Sequence, residues 1–416
     1  MRLNHPMADN TVAFVLAGGA GRRLNPLTKY RPKPLVPFGG CFRILDFTLS
    51  NCLNSGFNRA YVLTQHQSDA IAEYLQKGWS RFGAGFDEFA ISVPAMSRTR
   101  YAGTADAVLQ NVRLMQEHQC RFALVVSADH VYKMDYRNLL SFHASSGAEV
   151  TIATVEHPRE GASEMGVLEI DDERVVGFKE KPGNGFVHSK NGKTVPVNMG
   201  VYVFNYETLL GTAQTNNGEV IDIGADLIPR LLHSHKVNAY RHQDDESRKP
   251  LYWRDVGTLQ AYYDASMDLL VPRQPIDPYE NSWPIRSGSG IRQVGRNGFS
   301  QLLPEIGMNS IVPHTADVAD AYVYRSVLSA GVVLESGVDV QHSVILPKAV
   351  IGRGTAIRRA IIDANVVIEA DDRIGYDPDE DGRRFHVLPN GIVVVSPDYL
   401  APFPEMETVK TAEPAA

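Results

Sequence analysis

The chain has 416 residues, 44% of them apolar and 21% charged, which is typical of a folded protein with two or three domains. Its net charge of −7 disfavours a nucleic-acid scaffold, because neutralising phosphates requires a broad basic surface. Three scattered cysteines, an N-terminus unlike a signal peptide and no apolar run of membrane-spanning length predict a soluble cytoplasmic protein.

The first two-thirds of the chain alternates apolar, strand-like runs with amphipathic, helix-like stretches. Such runs include TVAFVLAGG, NRAYVLTQ, RFALVVSAD and AEVTIATVE. Their spacing predicts parallel strands joined by helical crossovers, and therefore an α/β domain over residues 1–270. Ligands bind beyond the carboxyl ends of such strands, so the functional site is expected there.

A glycine cluster directly after the first strand is followed by cations, in LAGGAGRRLNPLTKYRPKP at 16–34. Glycine NH groups can form a concave anion site, although a tight turn after a core strand is the alternative. Five cations and no anion lie between Arg22 and Lys33. Because these charges repel each other unless an anion shares the space, a polyphosphate ligand is favoured. Neither a Walker A motif nor GxGxxG is present.

Two aspartates are suited to bind a divalent cation. Asp129 ends the apolar run in FALVVSADHVY, and Asp255 lies in YWRDVGT. Mg²⁺ is commonly held by a few carboxylates plus phosphate oxygens, because it requires an octahedral oxygen shell. We therefore predict that both aspartates bind Mg²⁺, while a helix cap or turn is the alternative role of Asp129.

The C-terminal third has a different texture. A stretch rich in Pro, Gly and Ser predicts a linker at 271–308. From Val332 to Ile374 every sixth residue is apolar, with a partial second column from Val327 to Ile357. A period of six predicts a triangular solenoid, here a left-handed parallel β-helix over 309–400 followed by a flexible tail at 401–416. By itself, such a repeat is equally compatible with an acyltransferase.

Ordered motifs along nearly the whole chain resemble the bacterial ADP-glucose pyrophosphorylases, also called glucose-1-phosphate adenylyltransferases. After GGAGRRLNPLT and RPKP come FRILDFTLSNCLNSGF, YAGTADAVLQN, ADHVYKMDY, FKEKP, NMGVYVF and YWRDVGT. The resemblance implies a Rossmann-like, GT-A-like mixed sheet with helices on both faces, together with the β-helix. It also implies that ATP and α-D-glucose 1-phosphate give ADP-glucose and pyrophosphate for glycogen synthesis, in a homotetramer with phosphorylated effectors.

The resemblance also implies roles for individual residues. Arg23 and Lys33 match contacts to the triphosphate and the leaving pyrophosphate, and Asp129 and Asp255 match metal ligands. The nucleotide-binding positions are Leu16, Ala17, Gly18, Gly19, Gln65 and Gly103. The sugar-phosphate positions are Tyr101, Gly166, Glu180, Lys181, Asn198 and Asp222, although a surface ion pair is the alternative role of Glu180 and Lys181.

Several positions depart from the family pattern. Asn198 stands where a serine is usual, which leaves a different sugar 1-phosphate open as the substrate. Arg31 and Arg43 match effector positions, but Tyr30 replaces a phosphate-binding lysine, so we expect weak or altered sensitivity to fructose bisphosphate. A non-catalytic regulatory subunit is a further alternative, disfavoured because the predicted catalytic cations and acids are all present.

Overall fold

The structure is a computed structural model that describes residues 6–82, 89–95, 100–183, 192–271, 275–288, 307–318 and 320–398. Much of the predicted linker at 271–308 and the whole predicted tail at 401–416 lie outside these residues. Within the described part of the chain, no helix combines the length and apolar character needed to cross a bilayer.

The first part of the chain is an α/β unit. Its strands are β1 Thr11–Ala17, β2 Pro37–Phe38, β3 Phe42–Arg43, β4 Ala60–Thr64, β5 Ala90–Pro94, β6 Phe122–Ser127, β7 His130–Tyr132, β8 Val150–Pro158, β9 Gly166–Asp171, β10 Arg174–Glu180, β11 Thr194–Asn205, β12 Val237–Arg241 and β13 Trp253–Asp255. Its helices are α1 Pro6–Asp9, α2 Ile44–Asn54, α3 Ser68–Tyr74, α4 Thr104–Leu109, α5 Arg113–Glu117, α6 Tyr136–Ser146, α7 Tyr206–Thr215, α8 Ile228–Leu232 and α9 Leu259–Asp268.

Nine strands form one mixed sheet in the order β5-β4-β1-β6-β11-β8-β12-β10-β9. The first four run parallel to one another, whereas β11 is antiparallel to both β6 and β8. Alternate residues of β1 face opposite sides: Ala13 and Val15 join one core cluster, and Val12 and Phe14 join the other. Both faces are therefore covered, as the apolar runs predict. The carboxyl ends of β1, β4 and β6 lie side by side at one edge.

The C-terminal part is a solenoid of three sheets, in the orders β14-β15-β18-β21-β24, β16-β19-β22-β26-β25 and β17-β20-β23. All pairs in it are parallel except β25 with β26. The strands are β14 Gly307–Met308, β15 Tyr322–Tyr324, β16 Val327–Leu328, β17 Val333–Leu334, β18 Asp339–Gln341, β19 Val344–Ile345, β20 Val350–Ile351, β21 Ala356–Arg358, β22 Ala360–Ile362, β23 Val367–Ile368, β24 Arg373–Ile374, β25 His386–Val387 and β26 Val393–Val395; α10 Pro378–Arg384 precedes β25.

The solenoid is confirmed, but its predicted strict period of six is wrong. Tyr322 pairs with Asp339 and Asp339 with Ala356, so one coil takes 17 residues. The core is filled by Val340, Ile345, Ile351, Ile357 and Ile362, at steps of five and six. Two positions predicted to face inward, Val350 and Ala356, are only half-buried. In each coil one side has five residues instead of six, so the inward-facing position shifts by one residue from coil to coil. A search at a fixed period of six therefore finds two overlapping series of apolar residues.

The two parts of the chain share an apolar contact. Phe38 and Tyr262 from the α/β unit belong to one buried cluster with Val344 and Ile361 from the solenoid. The described part of the predicted linker, 275–288, is packed against the α/β unit. Its Ile285 is fully buried, and the Trp283 indole N–H donates to Asn51 Oδ1 at 2.9 Å. Apolar side chains in this Pro-rich stretch explain why it is not a free connector.

Candidate active site

The glycine loop after β1 makes a tight turn that packs against Lys33. Gly21 has φ of 63°, and a Cβ there would lie 2.8 Å from the Cβ of Lys33. Only glycine fits this left-handed, close-packed position without strain. The loop leads into a single helical turn, Arg22–Leu24, and a second turn, Lys33–Leu35, returns alongside it. This packing places Lys33 behind the loop.

Lys33 brings together the two aspartates predicted to bind metal. Its Nζ lies 2.9 Å from Asp129 Oδ2 and 3.4 Å from Asp255 Oδ1. Asp129 follows β6, whereas Asp255 ends β13, which pairs antiparallel with β7 and sets Asp255 opposite His130. Arg23 lies next to Asp255, on one side of Gly257. A Cβ added to Gly257 would lie 2.9 Å from Asp255 Oδ1 and 3.2 Å from Arg23 Nη2. Residues from three separate segments of the chain thus meet at one place.

The charges of Asp129 and Lys33 stabilise each other. Partial burial would raise the pKa of Asp129, but the charges of Lys33 and then His130 outweigh it and hold that pKa below its ordinary value. Burial likewise would lower the pKa of Lys33, and the two carboxylates raise it instead. Asp129 is therefore a carboxylate, and Lys33 is a cation, at neutral pH.

His130 is a residue of this cluster that the sequence reasoning missed. Its Nε2 lies 3.4 Å from Asp129 Oδ1 and 4.0 Å from Asp255 Oδ1, and its ring packs edge-on against Trp253 at 4.9 Å. Its Nδ1 is buried without a hydrogen-bond partner. The available signal was its place next to Asp129 in ADHVY, but a single histidine after a strand-terminal acid does not by itself predict a ligand.

The acids of this cluster fit a divalent cation. Ligand atoms of Asp129, His130 and Asp255 lie within 4.8 Å of one another, the spacing needed to share one ion. The positive charge of Lys33 already lies between the two carboxylates, so the position favours a cation. Two carboxylate oxygens with room for phosphate oxygens are the donor set that suits Mg²⁺.

A cavity of about 260 Å³ opens beside the cluster. All six residues predicted to bind the nucleotide line its wall, together with Lys33, Asp129 and Tyr101. Leu16 and Leu63 contribute apolar surface from neighbouring parallel strands, and Gly18 and Gly19 of the glycine loop also line the cavity. Its wall therefore combines apolar surface with the charged Lys33 and Asp129, as a base with attached phosphates requires.

A second group of predicted residues meets at β9, β10 and β11. A Cβ at Gly166 would lie 2.9 Å from Glu180 Oε2 and 3.2 Å from the Asn198 Cβ, so these residues are adjacent. Lys181 Nζ lies 3.5 Å from Glu180 Oε1. Burial raises the pKa of Glu180, an effect that Lys181 partly offsets. We call Gly166, Glu180, Lys181 and Asn198 the β10 cluster.

The β10 cluster and the aspartates lie close to each other along β11. Asn198 Oδ1 accepts from the Gly200 N–H at 3.0 Å, while its Nδ2 donates to the Tyr202 hydroxyl at 2.6 Å. A Cβ at Gly200 would in turn lie 3.0 Å from the His130 ring. Two residues of one strand thus separate the β10 cluster from the metal-site candidates.

Two further predicted sugar contacts make structural hydrogen bonds. Asp222 Oδ1 accepts from the N–H groups of Gly224 and Ala225, and its Oδ2 accepts from Thr104 Oγ1 at 2.9 Å. Tyr101 lies in the wall of the nucleotide cavity, and its hydroxyl accepts from Asn111 Nδ2 at 3.0 Å. Both side chains thus hold the walls of the site in place.

Of the two candidate effector residues, Arg31 lies at the contact with the solenoid. Arg31 Nη1 lies 2.5 Å from Asp363 Oδ1, whose side chain is 1% exposed. Arg43 is half-buried, and its backbone N–H donates to Asp46 at 2.8 Å. Tyr30, the residue that replaces a lysine, donates to Asp398 at 2.6 Å. The side chains of Arg31 and Tyr30 are therefore engaged within the chain.

Comparison with known proteins agrees with this geometry. Residues 12–271 match the family described as "Nucleotidyl transferase", and residues 304–395 match "GlmU-like, C-terminal hexapeptide". The fold and the cation-lined cavity thus define a nucleotidyltransferase with a left-handed β-helix, as expected.

Curated relatives identify the family within this class. The chain is 40% identical to glucose-1-phosphate adenylyltransferase 2 of Alkalilimnicola ehrlichii, over 95% of each chain. It is 40% identical to the enzyme of Paramagnetospirillum magneticum, over 94% of each chain. It is 39% identical to glucose-1-phosphate adenylyltransferase 2 of Vibrio cholerae, over 94% of this chain and 98% of that protein. The chain belongs to the glucose-1-phosphate adenylyltransferase family.

Proposed function

We propose that the protein transfers the adenylyl group of ATP to α-D-glucose 1-phosphate, giving ADP-glucose and pyrophosphate for glycogen synthesis. The observation that carries this proposal is the meeting of Asp129 and Asp255 at Lys33, between the nucleotide cavity and the β10 cluster. The names of its relatives describe the same reaction. Such a reaction requires positioning and charge stabilisation rather than a covalent enzyme intermediate.

In this reaction a phosphate oxygen of the sugar attacks the α-phosphorus of ATP. The bond from that phosphorus to the oxygen bridging to the β-phosphate breaks, and pyrophosphate leaves with the electron pair. Arg23 and Lys33 bind the phosphate oxygens on which negative charge accumulates, because a guanidinium fork and a compact ammonium together follow the moving charge. Asp129 and Asp255 would hold Mg²⁺, which would supply further charge neutralisation and polarise the phosphoryl group.

The β10 cluster orients the acceptor. Lys181 pairs with the sugar phosphate, and Glu180 accepts hydrogen bonds from sugar hydroxyls. Gly166 permits close approach, because a Cβ there would collide with Phe178 at 2.7 Å and crowd Glu180. The nucleotide is enclosed by the cavity residues Leu16, Ala17, Gly18, Gly19, Gln65 and Gly103. The nucleotide thus lies on one side of the aspartates and the sugar phosphate on the other.

Release of pyrophosphate from ATP and Mg²⁺ with a panel of sugar 1-phosphates tests the proposal. Turnover with glucose 1-phosphate supports the proposal. Turnover with only another sugar 1-phosphate would show that the enzyme has a different substrate, and Asn198 would then contribute to that selectivity. No turnover across the panel would instead favour a non-catalytic regulatory subunit.

A variant at Lys181 tests the sugar subsite. Lys181→Gln should raise the KM for glucose 1-phosphate by about 10 to 100-fold, the equivalent of one lost charge-assisted hydrogen bond, and leave the KM for ATP unchanged. Lys77→Gln, which removes the same charge from a side chain that is 72% exposed, is the matched control. An equal rise in both KM values would remove Lys181 from the sugar subsite.

We further propose a cytoplasmic homotetramer regulated by phosphorylated metabolites. Three buried free cysteines are compatible with a reducing compartment. Sedimentation velocity measures the oligomer, and a dimer or monomer would contradict this part. Because Arg31 pairs with Asp363 and Tyr30 replaces a cation, activation by fructose 1,6-bisphosphate should be weak; steep activation in a steady-state assay would contradict it.

A further inference from the structure

One cation of the glycine loop has no part in the chemistry described above. Lys29, Arg31 and Lys33 form ion pairs, and Arg23 lies beside Asp255 at Gly257. Arg22 is exposed, and its side chain has no hydrogen bond or ion pair with any described residue. The Arg22 guanidinium thus has no acidic partner in the described part of the chain.

Arg22 faces a second cavity of about 480 Å³, between the glycine loop and the end of β5. Arg100 and His66 line the same cavity, and both are exposed. Among the described residues in its wall there is no Asp or Glu. Two guanidinium groups and an imidazole therefore share one space that no described acidic side chain lines, an arrangement that an anionic ligand would relieve.

The second cavity adjoins the nucleotide cavity. Gly18 and Gln65 line both, so they form the partition between them. Gln65 Oε1 is buried without a hydrogen-bond partner. This acceptor is therefore available for a hydrogen bond from a ligand in either cavity. A ligand in the second cavity would therefore contact the wall that holds the nucleotide.

We propose that the cavity lined by Arg22, His66 and Arg100 binds the phosphate group of a small phosphorylated molecule. Two guanidinium groups offer paired donors suited to a phosphate, and the imidazole adds a third donor group. The phosphate has two possible sources: a free phosphorylated metabolite, or the terminal phosphate of ATP in the adjoining cavity. The second source rests on the proposed function, whereas the first does not.

Calorimetric titration of inorganic phosphate into three proteins tests the site. The wild type is compared with R22Q/R100Q and with R113Q/R383Q, which removes the same charge from arginines that line neither cavity. We expect the R22Q/R100Q protein to bind phosphate at least 10-fold more weakly and the control to match the wild type. Equal phosphate affinity in all three proteins would overturn the proposal. Both substituted arginines are exposed, so folding should be retained, which circular dichroism checks.

Titration of ATP and AMP into the same proteins distinguishes the two sources. If the site binds the terminal phosphate of ATP, R22Q/R100Q should bind ATP at least 10-fold more weakly than the wild type and bind AMP with unchanged affinity. Inorganic phosphate should then compete with ATP. If the site takes a free metabolite, ATP affinity is unchanged and phosphate still binds at saturating ATP. Pyrophosphate release is measured separately, so intact phosphate binding without turnover would contradict the proposed function alone.

Discussion

The carboxyl edge of the central sheet and the interior of the solenoid differ in what they bury. At the sheet edge, Lys33 is 9% exposed and lies between two carboxylates beside an open cavity. Inside the solenoid, Ile345, Ile351 and Ile357 are fully buried in an apolar stack. The first region places charge where a ligand can reach it, and the second only excludes water. Substitutions should accordingly change chemistry at the first and stability at the second.

The largest effect is expected at the sheet edge. Asp129→Asn should lower pyrophosphate release by about 10³-fold, because a carboxylate that binds the cation and pairs with Lys33 is lost. Asp371→Asn, on a solenoid corner, is the matched control and should retain wild-type activity. Steady-state kinetics and a thermal melt are measured on both variants. A near-normal rate for Asp129→Asn would remove this residue from the metal site.

Inside the solenoid the expected effect is on stability. Ile357→Ala should lower the free energy of unfolding by about 2 to 5 kcal/mol, because a cavity remains in the core. Val350→Ala, at a half-buried position, should cost less than about 1 kcal/mol. Urea unfolding followed by circular dichroism measures both. Equal costs would contradict the 17-residue coil and restore a strict period of six.

Substitutions at the contact between the α/β unit and the solenoid should change stability less than those in the solenoid core. Asp363→Asn should cost about 2 kcal/mol of stability, because it breaks the buried charge-assisted hydrogen bond with Arg31. Asp398→Asn removes the exposed partner of Lys29 and should change stability less than Asp363→Asn, because water screens this pair. If thermal melts show the reverse order, the Arg31 pair does not hold the solenoid to the α/β unit.

The smallest expected effect is a pH-dependent change in stability at Asp46, a buried acid outside the active site. It is fully buried and accepts only from neutral donors, among them the Tyr74 hydroxyl and the Trp79 indole N–H. Burial raises its pKa to about 6, above the value of about 3.9 expected in the unfolded chain. The folded protein therefore binds more protons between these values, so this contribution to stability falls as the pH rises from 4 to 6.

A comparison of wild type with Asp46→Asn measures this effect. The stability of the wild type relative to the variant should decline between pH 4 and pH 6 and level off above pH 7, as followed by urea unfolding. A difference that does not change with pH would show that Asp46 has an ordinary pKa in the folded protein.

Much of the fold was predictable because its signals are local. The alternation of β1 between two cores and the apolar repeat of the solenoid are visible in short windows. The 17-residue coil was not, because a side of five residues is recognised only from which neighbours pair. His130 was missed for a similar reason: its contact with Asp255 depends on the pairing of β13 with β7.

The order of residues alone specifies the strand-and-helix pattern, the glycine loop, the solenoid and, through ordered motifs, the family. These features depend on the spacing of apolar residues and on backbone freedom at glycine. The pairing of cations with acids, in contrast, is specified by the folded chain. Lys33 pairs with aspartates 96 and 222 residues away, and Arg31 with one 332 residues away, whereas Arg22 has no acidic partner among the described residues. Charge pairing depends on distance in space, which the order of residues along the chain does not specify.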